Sequence, residues 1–317
     1  MSPLKLNEKK GSQKKFLIFS GKGGVGKTSI STAMALHLSQ NQGKRILLLS
    51  TDPAHNIADV LHVRSKKNNF SFGKNLQVIE IDTEEESQKY IKNVSKAMKE
   101  YVYPEQYSQV EKYLQLARMS PGLQEAALLD AIGNYLLAEA DDFDHVIIDT
   151  APTGHALRLM TLPSIMQNWM EILLDKKTKV NQLKEEWGGN VEGLNTAREI
   201  IQNRIAKYKK LMHLFTDSEQ SSFYYIMNAE CISFQETIRA VKSLKDYNIK
   251  VASLLINKVF TSEQLANMEE SREKEQLEII KDAKKQFKKI EIFQLPFMQN
   301  PMHGEAELLN FIRDVEF

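Results

Sequence analysis

One cysteine, Cys231, stands in 317 residues. An intrachain disulfide is thereby excluded, as is a metal cage built from the cysteines of one chain, and a reducing compartment fits. A dominant charge is missing too. Lys and Arg number 42 against 41 Asp and Glu, so no global field draws the chain to nucleic acid. No apolar run approaches the roughly 20 residues that span a bilayer. Residues 1–15 are basic and polar, and no cleavable apolar region follows them. They read as a flexible leader. Repeats, low-complexity tracts and a dividing linker are also absent. The length suits one large α/β domain or two smaller ones, and the expected location is cytoplasmic.

What is present is concentrated in one stretch. Gly21, Lys22, Gly23, Gly24, Val25, Gly26, Lys27 and Thr28 fit the phosphate-loop pattern G-x-x-x-x-G-K-[ST] in full. Phe16 to Phe19 before it reads as a buried parallel strand, and Ser29 to Gln40 after it as a helix. Strand, glycine loop and helix together aim backbone N–H groups and a helix N-terminus at a phosphate. Lys27 is expected to reach the β- and γ-phosphates, and the Thr28 hydroxyl to ligate Mg²⁺. Lys22 adds a second cation where an ordinary loop accepts almost anything. Its placement suggests charge supplied to a neighbouring protomer's nucleotide, by the logic of an arginine finger given in trans.

Two later strands end in aspartate. Arg45 to Ser50 runs into Thr51, Asp52, Pro53, Ala54, His55 and Asn56, and His145 to Thr150 carries Asp149 at its tip. Ligands bind at the carboxyl edge of an open parallel sheet. There Asp52 can orient an attacking water or hold a metal-bound one; its alternative is a helix N-cap. Asp149 takes the position that lies close to Mg²⁺. Pro152 and Gly154 after it suggest a segment that rearranges with the γ-phosphate, as nucleotide switches do. His155 receives no catalytic role. Further strands are expected at Leu76–Ile81 (alternating, so nearer an edge), Phe223–Ala229, Val251–Ile256 and Ile290–Leu295. Helical stretches fill about 84–139, broken at Tyr103-Pro104 and at Ser120-Pro121-Gly122, and about 162–215, broken near Trp187–Asn190. Ser262 to Lys289 reads as a solvated helix. The alternation implies a doubly wound, mostly parallel α/β sheet.

The helical stretches carry apolar stripes. Leu162, Ile165, Met166, Trp169, Met170 and Leu173 recur at i, i+3 and i+4, and Leu128, Leu129, Ile132, Tyr135 and Leu136 do the same. Six of the twelve methionines lie between Met98 and Met212, and adaptable binding surfaces overuse this residue. An ordinary core would produce the same stripes.

GKGGVGKT resembles the deviant Walker A loop of the class that includes MinD, ParA, nitrogenase iron protein and the ArsA group. Joined to STDPAHN (Ser50 to Asn56) and DTAPTGHALRLM (Asp149 to Met160), it is similar to the ArsA/GET family of ATPases. Ala229-Glu230 with Gln235-Glu236-Thr237, Leu255 to Lys258, and Leu295-Pro296-Phe297 with Asn300, Pro301 and Gly304 extend the likeness almost to the C-terminus. The resemblance implies a single P-loop NTPase domain over 16–317, with helical insertions around 84–140 and 160–220 forming a client-binding subdomain. It also implies ATP, Mg²⁺ and a homodimer with two nucleotides at its interface. By position, Lys22 would cross that interface and Asp52 would place the attacking water. Thr28 and Asp149 would serve Mg²⁺, Glu230 and Asn257 would contact nucleotide, and Pro296 and Phe297 would border the adenine. One branch of the family receives tail-anchored membrane proteins. Its client helix would lie along Leu128, Ile132, Met166, Trp169, Met170 and Leu173, and a membrane receptor would stand downstream. The other branch drives arsenite or anion pumps and binds metalloid through thiolates. The C-x-x-C that gives fungal-type members an interfacial zinc is missing, so zinc is not expected. A MinD/ParA-like positioning protein is a third reading, but residues 305–317 form no basic amphipathic helix.

Overall fold

The computed structural model describes residues 14–52, 57–64, 67–99, 105, 107–108, 111–112, 121–151, 161–164, 192–265, 270–300 and 302–315. The chain divides into two compact units. One spans 1–81, 140–157 and 216–317; the other spans 82–139 and 158–215.

The first unit is built on eight strands: β1 (Phe16–Gly21), β2 (Ile46–Ser50), β3 (Asn69–Phe72), β4 (Leu76–Glu80), β5 (His145–Asp149), β6 (Ser221–Asn228), β7 (Val251–Val259) and β8 (Glu291–Pro296). Their order is β3-β4-β2-β5-β1-β6-β7-β8. Every pairing is parallel except β3 with β4. The central strands β1, β2 and β5 are buried along their whole length and mostly apolar because both faces are covered, as a parallel sheet requires. Leu17 and Phe19 point to one face and Ile18 to the other, following the period of two, and all three are buried. On the first face the strands pack against α1 (Lys27–Leu36), α2 (Ile57–Val60) and α9 (Glu305–Val315), through Ile30, Leu36, Ile57, Leu308 and Phe311. The remaining helices of this unit are α6 (Cys231–Asp246), α7 (Ser262–Leu265) and α8 (Glu270–Gln286).

The expected strands are all present, with shifted ends. Strand β3 was not anticipated. It is four residues long, alternating exposed Asn69 and Ser71 with half-buried Phe70 and Phe72, too short to stand out, and it takes the sheet edge. The alternating run Leu76–Glu80 therefore lies one position inside that edge. Helix α1 begins at Lys27, two residues before the expected Ser29, and closes in a wider π-type turn at His37–Asn41.

The second unit contains α3 (Thr83–Lys99), α4 (Pro121–Asn134) and α5 (Glu192–Thr216). Asp82 starts α3: its Oδ1 accepts the N–H groups of Glu84 and Glu85 at 2.9 and 3.0 Å, and three glutamates in the first turn favour the positive end of the helix. Pro121 opens α4, where its missing N–H costs nothing. Lys207 of α5 donates to Asp130 Oδ1 and Asn134 Oδ1 of α4, each at 2.7 Å, and Arg204 donates to the Tyr90 hydroxyl of α3 at 2.7 Å. These bonds pin the three helices to one another. The sequence breaks expected at 103–104, Ser120 and 187–190 lie outside the described residues.

Leu48, fully buried in β2, tests the sheet core. Leu48→Ala is expected to cost about 2–5 kcal/mol, read as a lowered urea midpoint with little change in slope.

Candidate active site

Strand β1 stops at Gly21 because the chain there runs too close to β6 for a side chain: a Cβ would sit 2.3 Å from Ile226 O. The loop then turns, and Gly26 at φ +99° admits α1. A Cβ at Gly26 would lie 2.5 Å from Asn257 Nδ2, so conformation and space both demand glycine. Lys27, buried in the first turn of α1, donates from Nζ to Lys22 O at 3.1 Å. Burial lowers its pKa, while the charges of Asp149 and Asp52 push it back up.

The Thr28 hydroxyl donates to Asp149 Oδ2 at 2.8 Å. Asp149 is fully buried at the tip of β5, and its Oδ1 has no hydrogen-bond partner among the described residues. Burial pushes this carboxyl up to about 7; the Thr28 hydroxyl and the Lys27 charge offset only part of the effect. A buried carboxylate oxygen with an open valence, next to a hydroxyl, is a donor set that suits a hard divalent cation.

Three strand tips are laced together around that carboxylate. Thr51 donates its N–H to Asp149 O at 2.9 Å, and its hydroxyl accepts the Ala151 N–H at 3.2 Å. The Thr150 hydroxyl donates to Phe19 O at 2.8 Å. Asp52 leaves β2 directly after this knot, its N–H donating to Ser50 Oγ at 3.3 Å. At the far end of the same segment, buried Glu80 accepts the Ile57 N–H at 2.8 Å and pins the start of α2. At the last residue of α2, Val60 O accepts the Gly304 N–H at 2.7 Å, and just beyond it the rings of His62 and His303 stack 5.7 Å apart.

A cleft of about 410 Å³ opens over the loop. It is lined by Gly23, Gly24, Gly26, Lys27, Thr28, Ser29, Asp52, Asn257, Lys258, Pro296, Phe297, Met298, Asn300 and Met302. Gly23, Gly24, Gly26, Lys27, Thr28, Asp52, Asn257, Pro296 and Phe297, all singled out by the sequence, thus share one cavity, while Gly21, Lys22, Val25 and Asp149 do not line it. The Phe297 ring lies 4.6 Å from that of Phe260, and its N–H donates to Val259 O at 2.9 Å. Asn257 is buried, with Nδ2 2.7 Å from Val25 O. Glu230 is exposed in the position just before α6 and does not line the cleft. Lys22 stands at the loop tip, its Nζ 3.4 Å from Glu236 Oε2 of α6, both side chains part exposed. Pro53, Asn56, Pro152, Gly154 and His155 lie outside the described residues, as do Met166, Trp169, Met170 and Leu173. Leu128 and Ile132 are described, and both are buried.

Sequence reasoning passed over Thr51, Glu80 and Lys258. Lys258 directly follows Asn257, but a lysine in a chain with 42 basic residues carries no signal by itself. Glu80 was masked by its strand, whose apolar neighbours read as packing.

A complete phosphate loop at the carboxyl edge of a parallel sheet, with acidic tips on the two strands next in order, β5 and β2, defines a P-loop nucleotide hydrolase. The comparisons narrow this. Residues 14–316 match the family of anion-transporting ATPases, and the chain belongs to that family and is an ATPase. It is 33% identical to the putative arsenical pump-driving ATPase 2 of Aquifex aeolicus over 293 residues, covering 92% of this chain and 96% of that one. It is 28% identical to ATPase asna-1 of Caenorhabditis elegans (94% and 91% covered) and 23% identical to the ATPase ASNA1 homolog of Entamoeba dispar (95% and 94% covered).

Asp149 yields a prediction whose sign follows from its surroundings. A carboxyl raised above its unfolded value near 3.8 binds its proton more tightly in the folded state. It therefore penalises folding progressively as pH rises from about 4 to 7, and fully above 7. Asp149→Asn carries no such penalty. At pH 8, without metal or nucleotide, it should melt higher than wild type, by an amount on the order of 1–4 kcal/mol. The difference should vanish near pH 4, and ATP hydrolysis by the variant should fall steeply.

Proposed function

We propose that this ATPase is a homodimeric targeting factor that captures the transmembrane helix of tail-anchored membrane proteins and couples its capture and release to nucleotide state. The observation that carries the reading is a complete hydrolytic cleft in a chain whose two longest insertions are helical and hold half of its methionines. The first insertion follows β4, whose last residue Glu80 holds the start of α2, and the second follows the Asp149 tip. Helix-in-groove recognition needs a wide and adaptable apolar surface. Because Leu128 and Ile132 are buried, a groove that uses them opens only on rearrangement of the helical unit.

In the cleft, the loop N–H groups and Lys27 take the phosphates. Thr28 and Asp149 would hold Mg²⁺, which would supply charge neutralisation for the phosphates. Asp52 orients the attacking water and accepts its proton. Pro296 and Phe297 border the adenine beside Asn257, and Glu230 is placed for a nucleotide contact once the dimer closes. Lys22 exchanges Glu236 for the partner's nucleotide. Its part-exposed ion pair holds it by no more than about 1 kcal/mol, so a triphosphate displaces the glutamate readily. The protein works as a cytoplasmic component, with a membrane receptor accepting the client. Among the described residues no helix is long and apolar enough to cross a membrane.

The second reading, an ATPase that drives an arsenite or anion pump, is favoured by the name of the Aquifex relative. It is weakened by the thiol count, since one exposed cysteine per chain does not furnish a three-thiolate metalloid site within a protomer.

Asp52→Asn should bind ATP normally and turn it over roughly 10²–10⁴-fold more slowly; unchanged turnover removes Asp52 from its role. Lys22→Ala should lose at least about 10²-fold in kcat and remain monomeric with ATP on a sizing column. The Asp52→Asn protein, purified from cells, should retain proteins with C-terminal transmembrane segments. Recovery of an integral anion channel instead, with hydrolysis stimulated by arsenite, would favour the pump.

A further inference from the structure

Two consecutive residues of β7 hold two consecutive carbonyls of the phosphate loop. Asn257 Nδ2 donates to Val25 O at 2.7 Å, and Lys258 Nζ donates to Gly24 O at 2.9 Å. In a regular strand neighbouring side chains point to opposite faces, so this pairing needs an irregularity. One is present. The register between β7 and β8 shifts between Ile256 and Val259, and Lys258 sits at φ +56°, the left-handed region that lysine enters only with strain. A bulge of this kind re-aims a side chain, and strain kept beside a ligand cleft is a sign of use.

The use follows from peptide geometry. A trans peptide places its C=O and N–H on opposite sides of the chain, and none of the described peptides is cis. Holding the Gly24 and Val25 carbonyls therefore fixes the directions of the Val25 and Gly26 N–H groups, the donors with which a glycine loop takes phosphate oxygens. Lys258 also lines the cleft, so its charge stands beside that of Lys27.

We infer that Lys258 is a positioning residue for the polyphosphate: by holding Gly24 O it keeps the loop in its phosphate-receiving form, and it tightens ATP and ADP alike. The assignment rests on the nucleotide cleft described above. Its test is calorimetric titration of the full chain with ADP and with a non-hydrolysable ATP analogue, together with steady-state kinetics. Lys258→Met and Lys258→Asn should weaken both nucleotides about five-fold or more, and should raise KM for ATP further than they lower kcat. Lys258→Arg should recover most of the loss. Asparagine tolerates the left-handed backbone better than lysine, so Lys258→Asn should melt no lower than wild type, although a purely structural residue would drop it. Wild-type affinities in the Met and Asn variants, with nucleotide still binding, overturn the assignment and leave the cleft standing. A loss of affinity in Lys258→Asn that tracks a fallen melting temperature also overturns it.

Discussion

The site depends on one carboxyl that the fold keeps from water. Asp149 ends the buried strand β5 with one oxygen on Thr28 and the other open. In a low-dielectric interior an unpaired oxygen of this kind is costly, and the cost appears as the raised pKa. A divalent cation bound at that oxygen would remove the cost, and an asparagine would avoid it without one.

The laced strand tips turn that local discomfort into something the chain can act on. Thr51 joins the Asp52 segment to the Asp149 segment, and Thr150 joins the latter to β1. These are bonds between neighbouring parallel strands within one buried sheet, so the frame that carries Asp52 and Asp149 is stiff. The Asp149 segment leads in sequence to the second helical insertion, while the Asp52 segment leads to α2 and the β3–β4 pair.

Much of this was legible in the sequence, and the limits have physical reasons. The phosphate loop, the two aspartate-ended strands and the parallel sheet were readable because each rests on residue types with narrow alternatives: glycine where no side chain fits, and unbroken apolar runs where both faces are covered. Strand β3 was not readable, since Asn69–Phe72 is only four residues long and shows just two turns of alternation, Phe70 and Phe72. The lengths of the helices in the insertions were also blurred, because a 3.6-residue period does not say where one helix ends and the next begins. Lys258 and Glu80 were hidden for another reason: each acts through a backbone group of a distant segment, and no local pattern encodes such a bond. The stripe containing Leu128 and Ile132 reads the same whether it is core or groove, and burial decides that only for the state described.

One modest contact has a wider reach. The bond from Gly304 to Val60, with the two stacked imidazoles beside it, fastens the chain just ahead of α9 to the end of α2. Two stretches far apart in sequence thereby share one anchor, and displacing either draws on the other.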